Sequence, residues 1–177
     1  MPFKFFIIAG LTLLLFATSC KRGGEDQKDA VDSLSSGQVV DPQVKALTEK
    51  IEKDPNNPEN YFIRSNVFLQ LNNVPSAFAD ASRAIALDST NLSYYFGIAD
   101  IFLKGGAADN AIDAFNQILR LDPGNKEALL KLSKVYYYKK DYPNSLKQLA
   151  SLQEIDQDNP EIYFVRGLNF KETLLSN

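Results

Sequence analysis

Residues 122–133 read Asp-Pro-Gly-Asn-Lys-Glu-Ala-Leu-Leu-Lys-Leu-Ser, and this stretch decides the fold. Asp-Pro-Gly is a turn, and Asn125 stands where its side-chain oxygen can accept the first free backbone N–H groups of a helix. A step of 34 residues in either direction finds the same start again. Asp54, Asp88, Asp122 and Asp156 are each 34 apart, and so are Asn57, Asn91, Asn125 and Asn159. The same register carries a bulky column (Tyr61, Tyr95, Leu129, Tyr163), a small one (Ser65, Ala99, Ser133, Gly167) and a ring column (Phe68, Phe102, Tyr136, Phe170). In the second half of each unit it carries small Ala77, Ala111 and Ser145, followed by Phe78, Ile112 and Leu146.

Spacings of four and three put the bulky, small and ring residues on one helix face, so rings and notches alternate where two helices touch. Pro58 and Pro160 follow their caps at the first helical position, where Pro is tolerated, and Pro75 and Pro143 are expected to start second helices in the same way. Gly105 falls where the chain leaves a helix and is expected to supply a left-handed cap. The Asp column lies at helix ends, where an acid opposes the helix dipole, so it is expected to hydrogen-bond into the turn.

Composition narrows the chemistry. The chain has 177 residues, 45% of them apolar, enough for one compact core, and a formal net charge of −3. Its charges are dispersed, so no basic stripe is available for a phosphate backbone and nucleic acid is not expected as a partner. With no His and one Cys, Cys20, a Ser-His-Asp triad, a Cys-His pair and a Cys/His zinc site are excluded. No Gly-rich phosphate loop stands in strand-turn-helix context, and no cofactor is expected. Paired carboxylates survive this filter, but most acids fall on the turn column or on exposed helix faces, so the chain is not expected to be an enzyme.

Residues 1–19 read as an export signal: Lys4 gives a positive start, Phe5 to Phe16 is an apolar run, and Ala17-Thr18-Ser19 are small. That run is shorter than the roughly 20 residues of a bilayer span. Ala17-Thr18-Ser19-Cys20 resembles the lipobox of bacterial lipoproteins, which implies acylation at Cys20. Lys21, in place of Asp, implies sorting to the outer membrane. Residues 20–40 are the acylated Cys and a polar tether of about 25 Å root-mean-square reach. A cell-envelope location follows as an expectation.

A 34-residue helix-turn-helix period with aromatic, small and aromatic columns resembles the tetratricopeptide repeat, over about residue 41 to the C-terminus. Asp54-Pro55 and Asp122-Pro123 match the family's Asp-Pro ending, and Ala111-x-x-x-Phe115 its second-helix signature. Departures are Ala81 for a large ring, Ile118 and Leu152 for Ala, and Arg64 and Arg166 for Leu. The resemblance implies an all-α, right-handed solenoid of residues 41–177. It would comprise an orphan second helix (41–53), three hairpins (58–87, 92–121, 126–155) and an orphan first helix from Pro160.

The resemblance also implies binding of a protein or peptide in a concave groove lined by inner positions of each first helix. Those positions are Phe62, Ile63, Asn66 and Gln70; Phe96, Gly97, Asp100 and Lys104; Leu130, Lys131, Lys134 and Tyr138; and Phe164, Val165 and Leu168. Packing for the aromatics and solvation for the lysines stand beside this reading. Of the carboxylate clamp of co-chaperone-type repeats only Asn66 and Lys131 agree, while Phe62, Phe96 and Gly97 replace clamp positions, so clamp function is not expected. The expected function is a membrane-anchored binding scaffold of the bacterial envelope. Alternatives are a structural lipoprotein that self-associates through its C-terminal edge, where the last helix carries many apolar residues, or an envelope carbohydrate hydrolase. Folding of Leu174 and Leu175 back over that edge is the competing expectation.

Overall fold

A computed structural model of the chain describes residues 41–175. The export signal (1–19), the acylated Cys20 and the tether (20–40) lie outside the described residues. Among the described residues there are eight helices: α1 (Pro42–Lys53), α2 (Pro58–Gln70), α3 (Val74–Leu87), α4 (Leu92–Lys104), α5 (Ala108–Leu121), α6 (Lys126–Tyr138), α7 (Tyr142–Ile155) and α8 (Pro160–Leu175). These are the three hairpins α2–α3, α4–α5 and α6–α7, flanked by a half unit at each end, as the 34-residue register requires. Each helix packs on the one before and the one after it, which makes the all-helical fold a solenoid.

The caps explain the boundaries. Asn57 Oδ1 accepts from Glu59 N, Asn91 Oδ1 from Ser93 N, Asn125 Oδ1 from Ala128 N and Asn159 Oδ1 from Glu161 N, at 3.0–3.1 Å. In the Asp column, Asp88 accepts from both Thr90 N and Thr90 Oγ1, while Asp122 and Asp156 accept from the side-chain amides of Asn125 and Asn159. These bonds hold the Asp88 carboxyl below its ordinary range, with the Thr90 N–H the largest cause. The tyrosines of the bulky column hold the same turns: Tyr61, Tyr95 and Tyr163 each donate to the carbonyl six residues earlier, at 3.1 Å. Leu129 has no hydroxyl to do so.

Two expectations are corrected. Pro75 and Pro143 occupy the second position of α3 and α7, one residue inside the start, because Asn73 and Asp141 supply the caps. Gly105 is not the left-handed residue. Its φ is −80° and its N–H still closes the last turn of α4 onto Ile101 O; Gly106, at φ +75°, makes the turn. Asn72 and Lys140, 34 residues to either side of Gly106, both have φ +60°. In all three turns the next N–H returns to a carbonyl five residues back (Asn73 to Phe68, Ala107 to Phe102, Asp141 to Tyr136).

The small columns are where backbones meet. Ser65, Ala99, Ser133, Ala77, Ala111 and Ser145 are all fully buried, and Ser145 Oγ donates to Ser133 O at 2.8 Å across the third hairpin. Around them Tyr61, Phe115, Ile118, Leu132, Leu149, Leu152, Ile162 and Val165 fill the core. Val165, assigned above to the groove, is therefore an interior residue. The described core comes from α1 to α8 alone, and residues 39–177 form one compact unit with its own caps and packing.

One buried feature was not expected. Arg64 forms a bidentate ion pair with Asp80 (Nε–Oδ2 2.6 Å, Nη2–Oδ1 2.8 Å) inside the first hairpin, and its Nη1 donates to Thr48 Oγ1 on α1. Burial pushes the Asp80 carboxyl up from its ordinary value, and the hydrogen bond and charge of Arg64 draw it only part of the way back.

Candidate functional site

First helices of neighbouring hairpins do not stand at equal distances. α2 packs against α4 and α6 against α8, whereas α4 and α6 approach less closely. The column Ile63, Gly97, Lys131, Val165 accounts for the difference. At Gly97 the Phe62 ring lies on the α4 backbone, so close that a Cβ there would stand 2.6 Å from Phe62 Cε2. One repeat later the equivalent residue is Lys131, whose long side chain holds the two helices apart.

A depression of about 450 Å³ opens between them. It is lined by Asp100 and Leu103 of α4, Ala108 of α5, Lys131, Lys134, Val135 and Tyr138 of α6, and Lys139 just beyond; its walls are almost wholly apolar atoms. Val135 forms the buried floor, while the Leu103 and Tyr138 side chains stand into solvent, Tyr138 79% exposed. The rim is charged. Lys131 Nζ lies 3.4 Å from Asp100 and 3.5 Å from Glu127, with its ammonium 5.6 Å from the centre of the Phe96 ring. Lys134 Nζ pairs with Glu161 at 2.6 Å, and Lys139 pairs with Asp109. Every lysine on this rim thus has a carboxylate that an acidic ligand would have to displace.

Of the ten groove residues named from the sequence, the structure brings Asp100, Lys131, Lys134 and Tyr138 together around the depression. Phe96 lies half-buried under Lys131 and 6.2 Å from the Phe115 ring. The others go elsewhere. Phe62 packs on Tyr94 (4.9 Å between ring centres) and on Gly97. Lys104 Nζ donates to Leu69 O at the end of α2 (2.6 Å), Leu130 packs on the apolar cluster of the third hairpin, and Asn66 and Gln70 lie on α2 beyond the depression. Leu103, Ala108, Val135 and Lys139 were not foreseen. Ala108 and Lys139 lie at the turns between paired helices, which a list of inner first-helix positions omits.

No group of three or more His, Cys, Asp or Glu among the described residues is placed to hold a metal ion. No helix among them is long and apolar enough to cross a membrane.

Two models described as tetratricopeptide repeat match residues 62–126 and 102–165, together more than half of the chain. The Hsp70-Hsp90 organizing protein 2 of Arabidopsis thaliana is 30% identical over 108 residues, 60% of this chain and 19% of that protein. The chain spans less than a third of the length of the curated relatives it matches. Among solved structures, MamA aligns with a TM-score of 0.67 at 19% identity, over 85% of this chain and 84% of its own. The first repeat domain of Spaghetti (RPAP3), bound to an HSP90 peptide, aligns with a TM-score of 0.60 at 12% identity, over 68% of this chain and 96% of its own. At these identities the structures share the fold.

Proposed function

Since this chain belongs to the tetratricopeptide repeat family, we propose that it is a protein- or peptide-binding scaffold whose ligand enters the depression between α4 and α6. The observation that carries this reading is an apolar hollow ringed by lysines in the one place where neighbouring first helices are held apart. A ligand segment with one large apolar side chain fits the hollow, and burial of such a side chain supplies about 1.5–3 kcal/mol. A carboxylate next to it would exchange with Asp100 or Glu127 at Lys131. The peptide bound to the RPAP3 domain is consistent with this class of ligand. The acids at the rim are spent on lysines rather than set as an acid–base couple, so no catalysis is proposed.

The scaffold is further proposed to be held to a bacterial envelope membrane, at the outer membrane, by lipid on Cys20. Support comes from the apolar leader, the small residues before Cys20 and the polar tether after it.

Photo-crosslinking from position 138 in intact cells, read by mass spectrometry, tests the groove. Lys131→Gln with Tyr138→Ala should lower the yield of the crosslinked partner at least about fivefold, the scale of one truncated contact residue. Exposed substitutions of this kind change stability by under about 0.5 kcal/mol, so the melting temperature should stay within about 2 °C. Neutral replacements are chosen because Lys131→Glu would place three carboxylates together with Asp100 and Glu127. An undiminished crosslink yield would move the site to another face.

A further inference from the structure

The face of α8 that would receive a second helix is bare. Tyr163, Gly167, Phe170 and Leu174 follow one another at steps of four, three and four, on one side of the helix. In the three hairpins the matching bulky, small and ring positions lie under α3, α5 and α7. On α8 the relative exposures are 55% for Tyr163, 54% for Phe170, 78% for Leu174 and 63% for neighbouring Phe164. Leu174 and Leu175 do not fold back over the edge; both project into solvent. Gly167 sits in the middle of the stripe with no atom within 4 Å of where its Cβ would be. A glycine inside a helix weakens it, so close approach of another backbone gives this position a reason that the single molecule lacks.

Head-to-tail growth does not fit. α1 is a second helix without its first, and completing it with the α8 of another copy would bury its facing side. At that side Gln43 replaces Ala77, Ala111 and Ser145, and Lys50 replaces Ala84, Ile118 and Leu152; both are exposed. A lysine cannot be placed where the repeats bury Ile and Leu without stranding its charge. The N-terminal edge is thus polar and closed, while the C-terminal edge is apolar and open.

We infer that α8 is the contact surface of a closed, two-fold homodimer, in which the two α8 helices run antiparallel and cross at Gly167. That crossing brings Phe164 of each copy against Phe170 of the other, and Tyr163 against Lys171, the one cation at the margin of the stripe. Two-fold pairing consumes both open edges and stops at two copies. The exposed parts of these side chains amount to about 600 Å² on each copy, the lower end of specific interfaces, so the dimer is expected to be reversible with Kd on the order of 10 μM.

The test uses residues 39–177, the unit that carries its own core and lacks the chain's single cysteine. Sedimentation from about 1 to 500 μM should show mass rising to twice the monomer and no further. Gly167→Gln should raise Kd at least tenfold while the dilute protein melts at the same or a higher temperature, because the site is empty in the single molecule. Gly167→Cys should form an intermolecular disulfide under mild oxidant much faster than Lys45→Cys on α1. A monomer at every concentration, growth beyond two, a Gly167→Gln protein that still dimerises, or equal crosslinking at positions 45 and 167 would each overturn the inference.

Discussion

Arg64 and Asp80 occupy the positions that Ile98 and Ala114 hold one repeat later, and Leu132 and Gln148 two repeats later. The first hairpin therefore contains an ion pair where the second is apolar, and the guanidinium is enclosed by Tyr61 and Phe68, with ring centres 5.8–6.0 Å away. Removing one member of a buried pair strands the other charge and costs about 3–5 kcal/mol, whereas exchanging both for apolar residues of fitting size is often neutral. Chemical denaturation should show Asp80→Ala losing about that much, and Arg64→Ile with Asp80→Ala, which copies the second hairpin, recovering most of it. If the double variant is as unstable as the single one, the pair does more than neutralise itself.

Each hairpin turn in the structure has the same geometry built from different residues. Asn72, Gly106 and Lys140 are all left-handed, and only the middle one is glycine. For a residue with a side chain this conformation costs about 1–2 kcal/mol, least for Asn. Gly106→Ala is accordingly expected to destabilise by about 1 kcal/mol. Gly105→Ala should be neutral or stabilising by up to about 1 kcal/mol, since its backbone is already helical and a Cβ there would meet its nearest atoms at an ordinary 3.5 Å. Thermal melts of the two variants rank them, and the reverse order would contradict the turn geometry.

Across the whole molecule, a solenoid of neighbour-only contacts places function at the joints and edges rather than in a central cavity. The joint between α4 and α6 opens because Lys131 stands where Gly97 stood one repeat before, and the edge at α8 is bare because no second helix covers it. Anchor and fold are expected to be separable. Cys20→Ser should move the protein from the membrane fraction to the soluble fraction of cell extracts with an unchanged far-ultraviolet circular dichroism spectrum. Retention of the variant in the membrane at the original level would refute the lipid anchor.

The period of 34, the Asn caps and the small columns were enough to determine the eight helices and their order, because each is a local rule that recurs four times in one register. The candidate site was only half legible. Asp100, Lys131, Lys134 and Tyr138 lie on inner helix positions that periodicity identifies, but Ala108 and Lys139 join them only through packing. The unequal spacing of the first helices depends on how Phe62 meets Gly97, a contact between residues 35 apart. The Arg64–Asp80 pair was hidden for the same reason: each residue alone reads as a solvated charge, and their burial comes from the facing of α2 on α3. Local periodicity thus determined which helices form, while three-dimensional contacts decided which charges are buried, which neighbours part and which edge stays open.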